Sequence, residues 1–201
     1  MAQLGAAVAS ASQEAPFTVR AADSQAGETL VRIENPGDLE PYLAQGPPAG
    51  DYFVAPFVDY RSTDGFFRKY RIIFVDGVPY AHHLAISDKW MVHYYNALND
   101  KETWIRDEEE RFLADVGSAF DGPRKRVLAE LARRVGLDYF GIDCGILPDG
   151  RVVIFEVDVA MIVHLGDPIE RYPYKHRYVP RIFEAFERMI EARAGKSPAR
   201  P

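Results

Sequence analysis

Three acidic side chains in the second half of the chain have types and spacing that could bind a divalent cation: Asp143, Glu156 and Asp158. Residues i and i+2 of a β-strand project from the same face, so Glu156 and Asp158 point together. The sequence Pro148-Asp149-Gly150 predicts a tight turn that brings Asp143 across from Glu156. The spacing therefore predicts three carboxylates on one patch of a β-hairpin.

The apolar surroundings of these acids make the arrangement costly without a cation. Both predicted strands are otherwise rich in Ile, Val and Phe. Three close carboxylates in such surroundings repel one another, which raises their pKa values. Mg²⁺ relieves this repulsion, because it prefers carboxylate oxygens together with water and phosphate oxygens. The spacing alone is equally compatible with scattered, solvated acids at strand ends, since two acids at i and i+2 are common.

The stretch LDYFGIDCGILPDGRVVIFEVDVAM resembles the metal-binding hairpin of ATP-grasp enzymes. In that family an acid on one strand pairs with an E-x-N near the end of the next strand. Asp143, Glu156 and Asp158 match this spacing, with Asp158 standing where the family usually has Asn. The resemblance implies that these three residues hold Mg²⁺, with Mn²⁺ as an alternative ion, against the phosphates of ATP.

Two earlier stretches resemble other parts of the ATP-grasp nucleotide site. PFTVRAADSQAGETLVRIEN resembles a strand, a glycine-containing phosphate loop and a returning strand, which implies phosphate contacts at Arg20 and Gly27. YFVAPFVDYRSTDGFFRKYRIIFVDG resembles the hinge strand followed by the phosphate-facing strand. The resemblance implies that main-chain groups near Phe57 and Val58 meet adenine. It also implies that Arg71 faces the γ-phosphate or an acyl-phosphate.

Basic and histidine side chains complete the predicted site. Lys69 and Arg71 share one face of a predicted strand and are the candidate catalytic cations, whereas Arg68 points away. The alternative for this cluster is a solvated strand edge, where lysine discourages aggregation. His93 and His164 follow motif-like stretches and are candidates for a substrate pocket. Their alternative role is that of hydrogen-bonded structural histidines.

A further stretch, VPYAHHLAISDKWMVHYYNA, together with VAMIVH, resembles a bacterial ATP-grasp branch often attached to tetratricopeptide repeats. The resemblance spans residues 16–190 and implies an α+β ATP-grasp fold. Two α+β lobes of that fold clamp a nucleotide, and the resemblance leads us to expect a chain in which the family's upstream domain is missing or truncated. The implied enzyme is an ATP- and Mg²⁺-dependent carbon–nitrogen ligase that activates a carboxylate as an acyl-phosphate for attack by an amine or a thiol. Its partners would be small-molecule or peptide carboxylates and amines.

The alternative function is a catalytically reduced ATP-grasp-like module that binds a nucleotide or a protein. Gly27 is the one glycine of its predicted loop, fewer than the family usually has, and Asp158 adds a negative charge beside the phosphates. Both departures from the family pattern favour this alternative.

Two predicted hairpins and several helices must position these residues. Asp76-Gly77 between two runs of β-formers is the strongest local hairpin signal in the sequence, and Asp107 opens a helix with a charged first turn. Antiparallel hairpins beside grouped helices indicate an α+β fold, not a βαβ array. The predicted strands are 17–20, 29–33, 52–58, 66–75, 78–86, 137–147 and 152–157, and the predicted helices are 39–44, 107–119, 123–135 and 182–194.

Four segments are predicted along the chain. Residues 1–15 form a flexible leader, 16–50 a partial small lobe, 51–194 a large lobe with the metal-binding hairpin, and 195–201 a mobile tail. The sequence GPPAG at 46–50 is the predicted linker between the lobes, because proline and glycine interrupt regular structure.

Composition excludes several classes of function. Among 201 residues there are 24 Lys and Arg against 30 Asp and Glu, a net charge of −6. A general nucleic-acid binder normally has a basic surplus, and so does a protein that adheres to anionic membranes. A single cysteine, Cys144, excludes an intrachain disulfide and favours a reducing compartment. We therefore expect no nucleic-acid or membrane partner, a cytoplasmic location, and a chain that could form a homodimer.

Overall fold

The computed structural model describes residues 16–24, 27–44, 51–93, 97–100 and 102–195. The chain divides into two compact units, Met1–Asp59 and Tyr60–Pro201. The division falls after Asp59, later than the predicted boundary at residue 50, because the strand that follows residue 50 pairs with the first strand of the chain. The predicted leader, the 46–50 linker and residues 196–201 of the predicted tail lie outside the described residues.

The described residues of the first unit form a three-stranded antiparallel sheet and a short α-helix. Its strand order is β2-β1-β3, and its core consists of Phe17, Val19 and Ile33. Strand β2 begins later than predicted because Thr29 belongs to the preceding turn, where its Oγ1 accepts a hydrogen bond from the Ala21 N–H at 3.0 Å. The elements are β1 Phe17–Ala21, β2 Val31–Ile33, α1 Leu39–Ala44 and β3 Tyr52–Pro56.

The second unit contains a four-stranded antiparallel sheet of order β5-β4-β6-β7, built from the two predicted hairpins. The strands are β4 Phe67–Val75, β5 Val78–Ser87, β6 Tyr139–Ile146 and β7 Val152–Asp158. Asp76 and Gly77 have φ angles of 51° and 76°, as a two-residue hairpin turn requires. Gly150 has a φ of 84° in the second turn. Both predicted hairpins are therefore confirmed.

In the described part of this unit, four α-helices accompany the sheet: α2 Thr103–Ala114, α3 Gly122–Val135, α4 Pro173–Tyr178 and α5 Pro180–Ala194. Helix α2 ends at Ala114, not at residue 119 as predicted, because Asp115 is extended and its carboxylate accepts from the Gly117 N–H. Helix α4 was not predicted. Helix α3 ends at Val135 and is capped by Gly136, whose φ of 65° suits a helix terminus. No helix in the described ranges is long and apolar enough to cross a membrane.

The main core lies where one face of the four-stranded sheet packs against helices. Tyr70 points to this face, since its ring lies 5.0 Å from that of Phe112 on helix α2. Its partner on β6 is Cys144, which is fully buried, in agreement with the interpretation of this cysteine as a small core residue. Because side chains alternate along a strand, Arg71 and Asp143 belong to the opposite face.

Candidate functional site: a charged row across three strands

A row of charged residues crosses three neighbouring strands of the second unit. Arg71 on β4 lies opposite Asp143 on β6, and Asp143 lies opposite Glu156 on β7. Asp158 lies opposite Gly141. The pairing of Asp143 with Glu156 that the turn predicts is present in the structure. Three strands thus each contribute one charged side chain to a single row.

A β-bulge is needed to place Glu156 in this row. Counting from the turn, Ile146 pairs with Val152 and Cys144 with Ile154, so a regular ladder would put Phe155 opposite Asp143. The register instead shifts between Cys144 and Asp143, which leaves Phe155 as the extra residue. Bulges redirect side chains in this way next to functional sites. The acidic pair therefore depends on one additional residue in β7.

Asp143 is an ionised carboxylate buried among cations. It is 3% exposed, and Arg71 donates to it in a fork, from Nε at 2.8 Å and Nη2 at 3.0 Å. The Nζ of Lys69 lies 3.0 Å from Oδ2 of the same carboxylate. Burial alone would raise the pKa of Asp143, but Arg71 and Lys69 outweigh it, and the pKa lies below its ordinary value. The protein thus neutralises this carboxylate with its own cations.

This ion pairing differs from the arrangement expected for a metal centre. Arg71 and Lys69, the two cations predicted to face phosphate, both contact Asp143, a predicted metal ligand. Within the described ranges, no three histidine, cysteine or acidic side chains are grouped so as to hold a metal ion. The residues as arranged here therefore do not fit a preformed Mg²⁺ site. The metal role of Asp143, Glu156 and Asp158 stays a prediction.

The other two predicted metal ligands are more accessible than Asp143. Glu156 is exposed and Asp158 is half-buried. One carboxylate oxygen of Asp158 accepts a hydrogen bond from the Ala160 N–H at 2.8 Å. Solutes can therefore reach Glu156 and Asp158, whereas the carboxylate of Asp143 is buried and paired with cations.

Three histidines, His82, His93 and His164, are close enough to Arg71 for its charge to lower their pKa values. Burial and then the charges of Lys69 and Arg71 lower the pKa of His93, and burial, Lys175 and Arg71 lower that of His164. The two candidate pocket histidines are thus neutral rings near the cations. The main-chain N–H of His164 donates to Nε2 of His82 at 3.3 Å. Burial, together with the neighbouring His83 and His164, lowers the pKa of His82 to about 3.

Two predicted phosphate contacts lie in the first unit. Arg20 is on β1, and its guanidinium lies 5.3 Å from the centre of the Phe53 ring. Gly27 has a φ of 75°, and its carbonyl accepts from the Leu30 N–H at 3.1 Å. L-amino acids other than glycine rarely adopt this φ, so the backbone favours glycine at position 27 whether or not a ligand binds. The phosphate role of both residues stays a prediction.

The predicted adenine-binding segment follows strand β3. The Phe57 N–H donates to the Pro16 carbonyl at 2.9 Å, so this main-chain donor is already used. The Phe57 ring lies under the Arg32 guanidinium, 3.8 Å from its centre. Val58 is 42% exposed. A main-chain contact to adenine at this segment, which stays a prediction, would have to use groups other than the Phe57 N–H.

A buried network centred on Glu109 is not among the features predicted from the sequence. The Glu109 carboxylate contacts His83 Nδ1 at 2.9 Å, the Tyr174 hydroxyl at 2.7 Å and the Asn99 amide at 3.1 Å. Lys175 Nζ lies 3.4 Å away from it. A signal was available, because Glu109 falls on the apolar stripe of α2, where the buried positions are Ile105, Glu109, Phe112 and Leu113. The prediction of a charged helix start at 107–111 did not take the buried position of Glu109 into account.

Comparison with known proteins finds similarity in structure alone. No protein-family model matches this chain, and no curated protein matches it. Three of the similar solved structures are the D-alanine-D-alanine ligase from Coxiella burnetii, the ATP-grasp ligase PsnB in complex with Mg and ADP, and the D-cycloserine synthetase DcsG. Their sequence identities are 10%, 12% and 17%, and their TM-scores are 0.44, 0.48 and 0.47.

The matches span most of this chain but only part of the other proteins. They cover 95%, 90% and 90% of this chain, and 50%, 49% and 60% of the three solved chains. This chain thus spans about half the length of the structures that it resembles. Attachment to tetratricopeptide repeats is not shown by these matches. One of the three structures, PsnB, is an ATP-grasp ligase by name, and ATP-grasp is the family that the sequence motifs of this chain resemble.

Proposed function

We propose that this chain binds ATP and Mg²⁺ and belongs to a carbon–nitrogen ligase of the ATP-grasp type. The observation that carries the proposal is the carboxylate of Asp143 held by Arg71 and Lys69, in register with Glu156 on the next strand. Buried ionisable groups with a shifted pKa and a specific charged partner, such as Asp143, are concentrated at functional sites. We further propose that the protein acts in the cytoplasm, with a homodimer as its candidate assembly.

The proposed reaction has two steps, which balance without a redox partner. A carboxylate oxygen of the substrate attacks the γ-phosphorus of ATP, the bond to the bridging oxygen breaks, and ADP leaves. An amine (or a thiol) then attacks the acyl carbon, phosphate leaves, and the amine loses a proton. Little covalent chemistry falls to the protein in such steps, so positioning and charge stabilisation dominate.

Arg71 and Lys69 suit the stabilisation of phosphate charge. A guanidinium fork that binds a carboxylate at two atoms can bind a phosphate in the same way. The Arg71 side chain is 26% exposed, whereas that of Asp143 is 4% exposed, so a solute reaches the cation first. We propose that these two cations bind the transferred phosphoryl group, and that Arg20, Gly27, Phe57 and Val58 contribute the nucleotide contacts implied by the sequence. The proposed metal ligands are Asp143, Glu156 and Asp158.

Isothermal titration with a non-hydrolysable ATP analogue tests this proposal. We expect saturable binding that strengthens with Mg²⁺ and weakens at least about tenfold in Arg71→Gln, because a charge-assisted fork to phosphate is lost. The matched control is Arg151→Gln, since Arg151 is exposed and pairs with Asp149 at 2.7 Å on the turn. If millimolar nucleotide produces no heat of binding and no thermal shift, nucleotide binding is refuted.

One observation favours the second candidate, a module that binds nucleotide or protein without catalysis. Arg71 and Lys69 are both engaged by Asp143, and the described part of the chain has no preformed metal group. The two candidates differ in turnover. A ligase releases ADP and phosphate when ATP and Mg²⁺ are supplied with a panel of carboxylates and amines, whereas the reduced module binds the nucleotide and releases neither product.

A further inference from the structure

A cavity lies on the helix-facing side of the four-stranded sheet, opposite the face that carries Asp143. Its volume is about 440 Å³, within the range of small-molecule sites. Tyr70 and Phe112 line it, and these are the residues that define the helix-facing side. We call it the rear cavity. Other lining residues are Ser62, Arg111, Ser118 and Arg124.

The charges that line the rear cavity are mainly positive. Arg111 and Arg124 both line it, and the one acid that lines it, Glu108, is bound by Arg68 at 2.6 and 2.9 Å. Arg68 is also paired with Asp64 at 2.7 Å. A single cation, Arg68, is thus shared by the carboxylates of Glu108 and Asp64. Among the residues that line the cavity, two guanidinium groups stand against one carboxylate, and Arg124 also pairs with Asp121.

Both arginines retain donors that the described part of the chain does not satisfy. The Nε of Arg124 is buried and has no acceptor among the described residues, although its Nη2 donates to Asp121 at 2.5 Å. The Arg111 side chain has no ion pair or hydrogen bond within the described ranges and is exposed. Buried donors normally have a partner. An acceptor from outside the chain would supply it.

The remaining lining gives the cavity a polar rim and an apolar floor. Ser62 and Ser118 bring hydroxyl groups, which can donate to an anion. Ala119, Ile146 and Leu147 are partly exposed and supply apolar surface, above the fully buried Leu84 and Phe112. Polar groups converging beside an apolar wall are the usual composition of a small-molecule site.

We propose that the rear cavity binds a small organic anion, a carboxylate or a phosphate monoester with an attached apolar group. Arg111 and Arg124 would bind the anionic group, and Ile146 and Leu147 would contact the apolar part. The cavity lies on the other side of the sheet from the proposed nucleotide site. The inference therefore stands whether or not the chain binds ATP.

Titration of the full chain with phenyl phosphate and with benzoate tests this site. Both probes join an anionic group to an aromatic ring. We expect saturable shifts of the Nε resonances of Arg111 and Arg124 in ¹⁵N NMR spectra, with binding that weakens as salt is added, because charges are screened. In the double variant Arg111→Gln/Arg124→Gln the affinity falls at least about tenfold, since two charge-assisted contacts are lost. Benzyl alcohol, which lacks the anion, leaves both resonances unmoved.

Matched measurements separate loss of the site from loss of the fold. Arg126→Gln removes an exposed charge from the same helix as Arg124 and should bind both probes as the wild type does. Thermal unfolding verifies that the double variant is folded. The proposal is overturned if neither probe shifts the two resonances, or if the double variant, still folded, binds as tightly as the wild type.

Discussion

Asp143 is the single residue on which the charged row of the second unit depends. Its carboxylate accepts two hydrogen bonds from Arg71 and contacts Lys69, so Asp143→Asn leaves two neighbouring cations without their shared counter-charge. We expect this substitution to lower the free energy of unfolding by about 2 kcal/mol, the usual scale for hydrogen bonds to a charged group. Urea denaturation at neutral pH measures the change.

A surface ion pair of the same hairpin provides the control for this prediction. Asp149→Asn removes an exposed carboxylate that pairs with Arg151 on the turn. Exposed pairs contribute between nothing and about 1 kcal/mol. If both substitutions lower the free energy of unfolding by the same small amount, the contacts of Asp143 with Arg71 and Lys69 are no stronger than a solvated ion pair. They would then give no support to a functional ion cluster.

At the scale of elements, strand β6 is tied to the segment that follows β7. Gly141 lies on the Asp143 face, where a Cβ would come within 2.9 Å of the Met161 Cγ and closer still to two other Met161 atoms. The Tyr139 hydroxyl also donates to the Met161 carbonyl. A side chain at position 141 therefore displaces the segment that leads to His164.

Gly141→Ala tests this contact. We expect a loss of about 2 kcal/mol in the free energy of unfolding, since overpacking of a filled site costs that order. Gly37→Ala is the control, because a Cβ at Gly37 would meet no atom within 4 Å. Denaturation of both variants under one set of conditions provides the comparison. Equal stability of the two variants would contradict close packing of Met161 on Gly141.

The hairpins were predictable from sequence because their signals are local. Asp76-Gly77 and Pro148-Asp149-Gly150 specify turns within a few residues, and alternation specifies the faces of the strands on either side. The pairing of Arg71 with Asp143 was not predictable, because it requires β4 to lie beside β6, far apart in the chain. The bulge at Phe155 has no local signature either, although the unequal distances of Asp143 and Glu156 from the turn point to it in retrospect.

At the scale of the whole molecule, the second unit is held together by a buried polar network as well as by its core. Glu109 of α2 contacts His83 on β5 and, from helix α4, Tyr174 and Lys175. Lys175 also lies 3.0 Å from Asp167. A buried polar group is costly when it is unsatisfied. The network therefore fixes how these helices sit on the sheet.

The network makes stability depend on pH in a direction that its pKa values determine. Burial raises the pKa of Glu109, but the His83 hydrogen bond and the Lys175 charge outweigh it, and the pKa falls to about 2. A carboxyl group with a lowered folded pKa contributes stability that is complete above its unfolded value of about 4.3 and is lost as the pH falls towards 2. Burial lowers the pKa of His83 too, so protonation below pH 6.5 favours unfolding.

Lys175→Met is the substitution that tests this network. It leaves the buried Glu109 with one cation fewer, so we expect a loss of about 3 kcal/mol at neutral pH, as for other broken buried ion pairs. The pKa of Glu109 should rise towards its unfolded value, which flattens the loss of stability between pH 4.3 and pH 2. Lys125→Met, at an exposed position of α3, should keep both the stability and the acid slope of the wild type. Urea titrations from pH 7 downwards measure both quantities. An unchanged acid slope in Lys175→Met would mean that Lys175 does not set the ionisation of Glu109, and the coupling of α4 to the sheet would then depend on Tyr174 and packing alone.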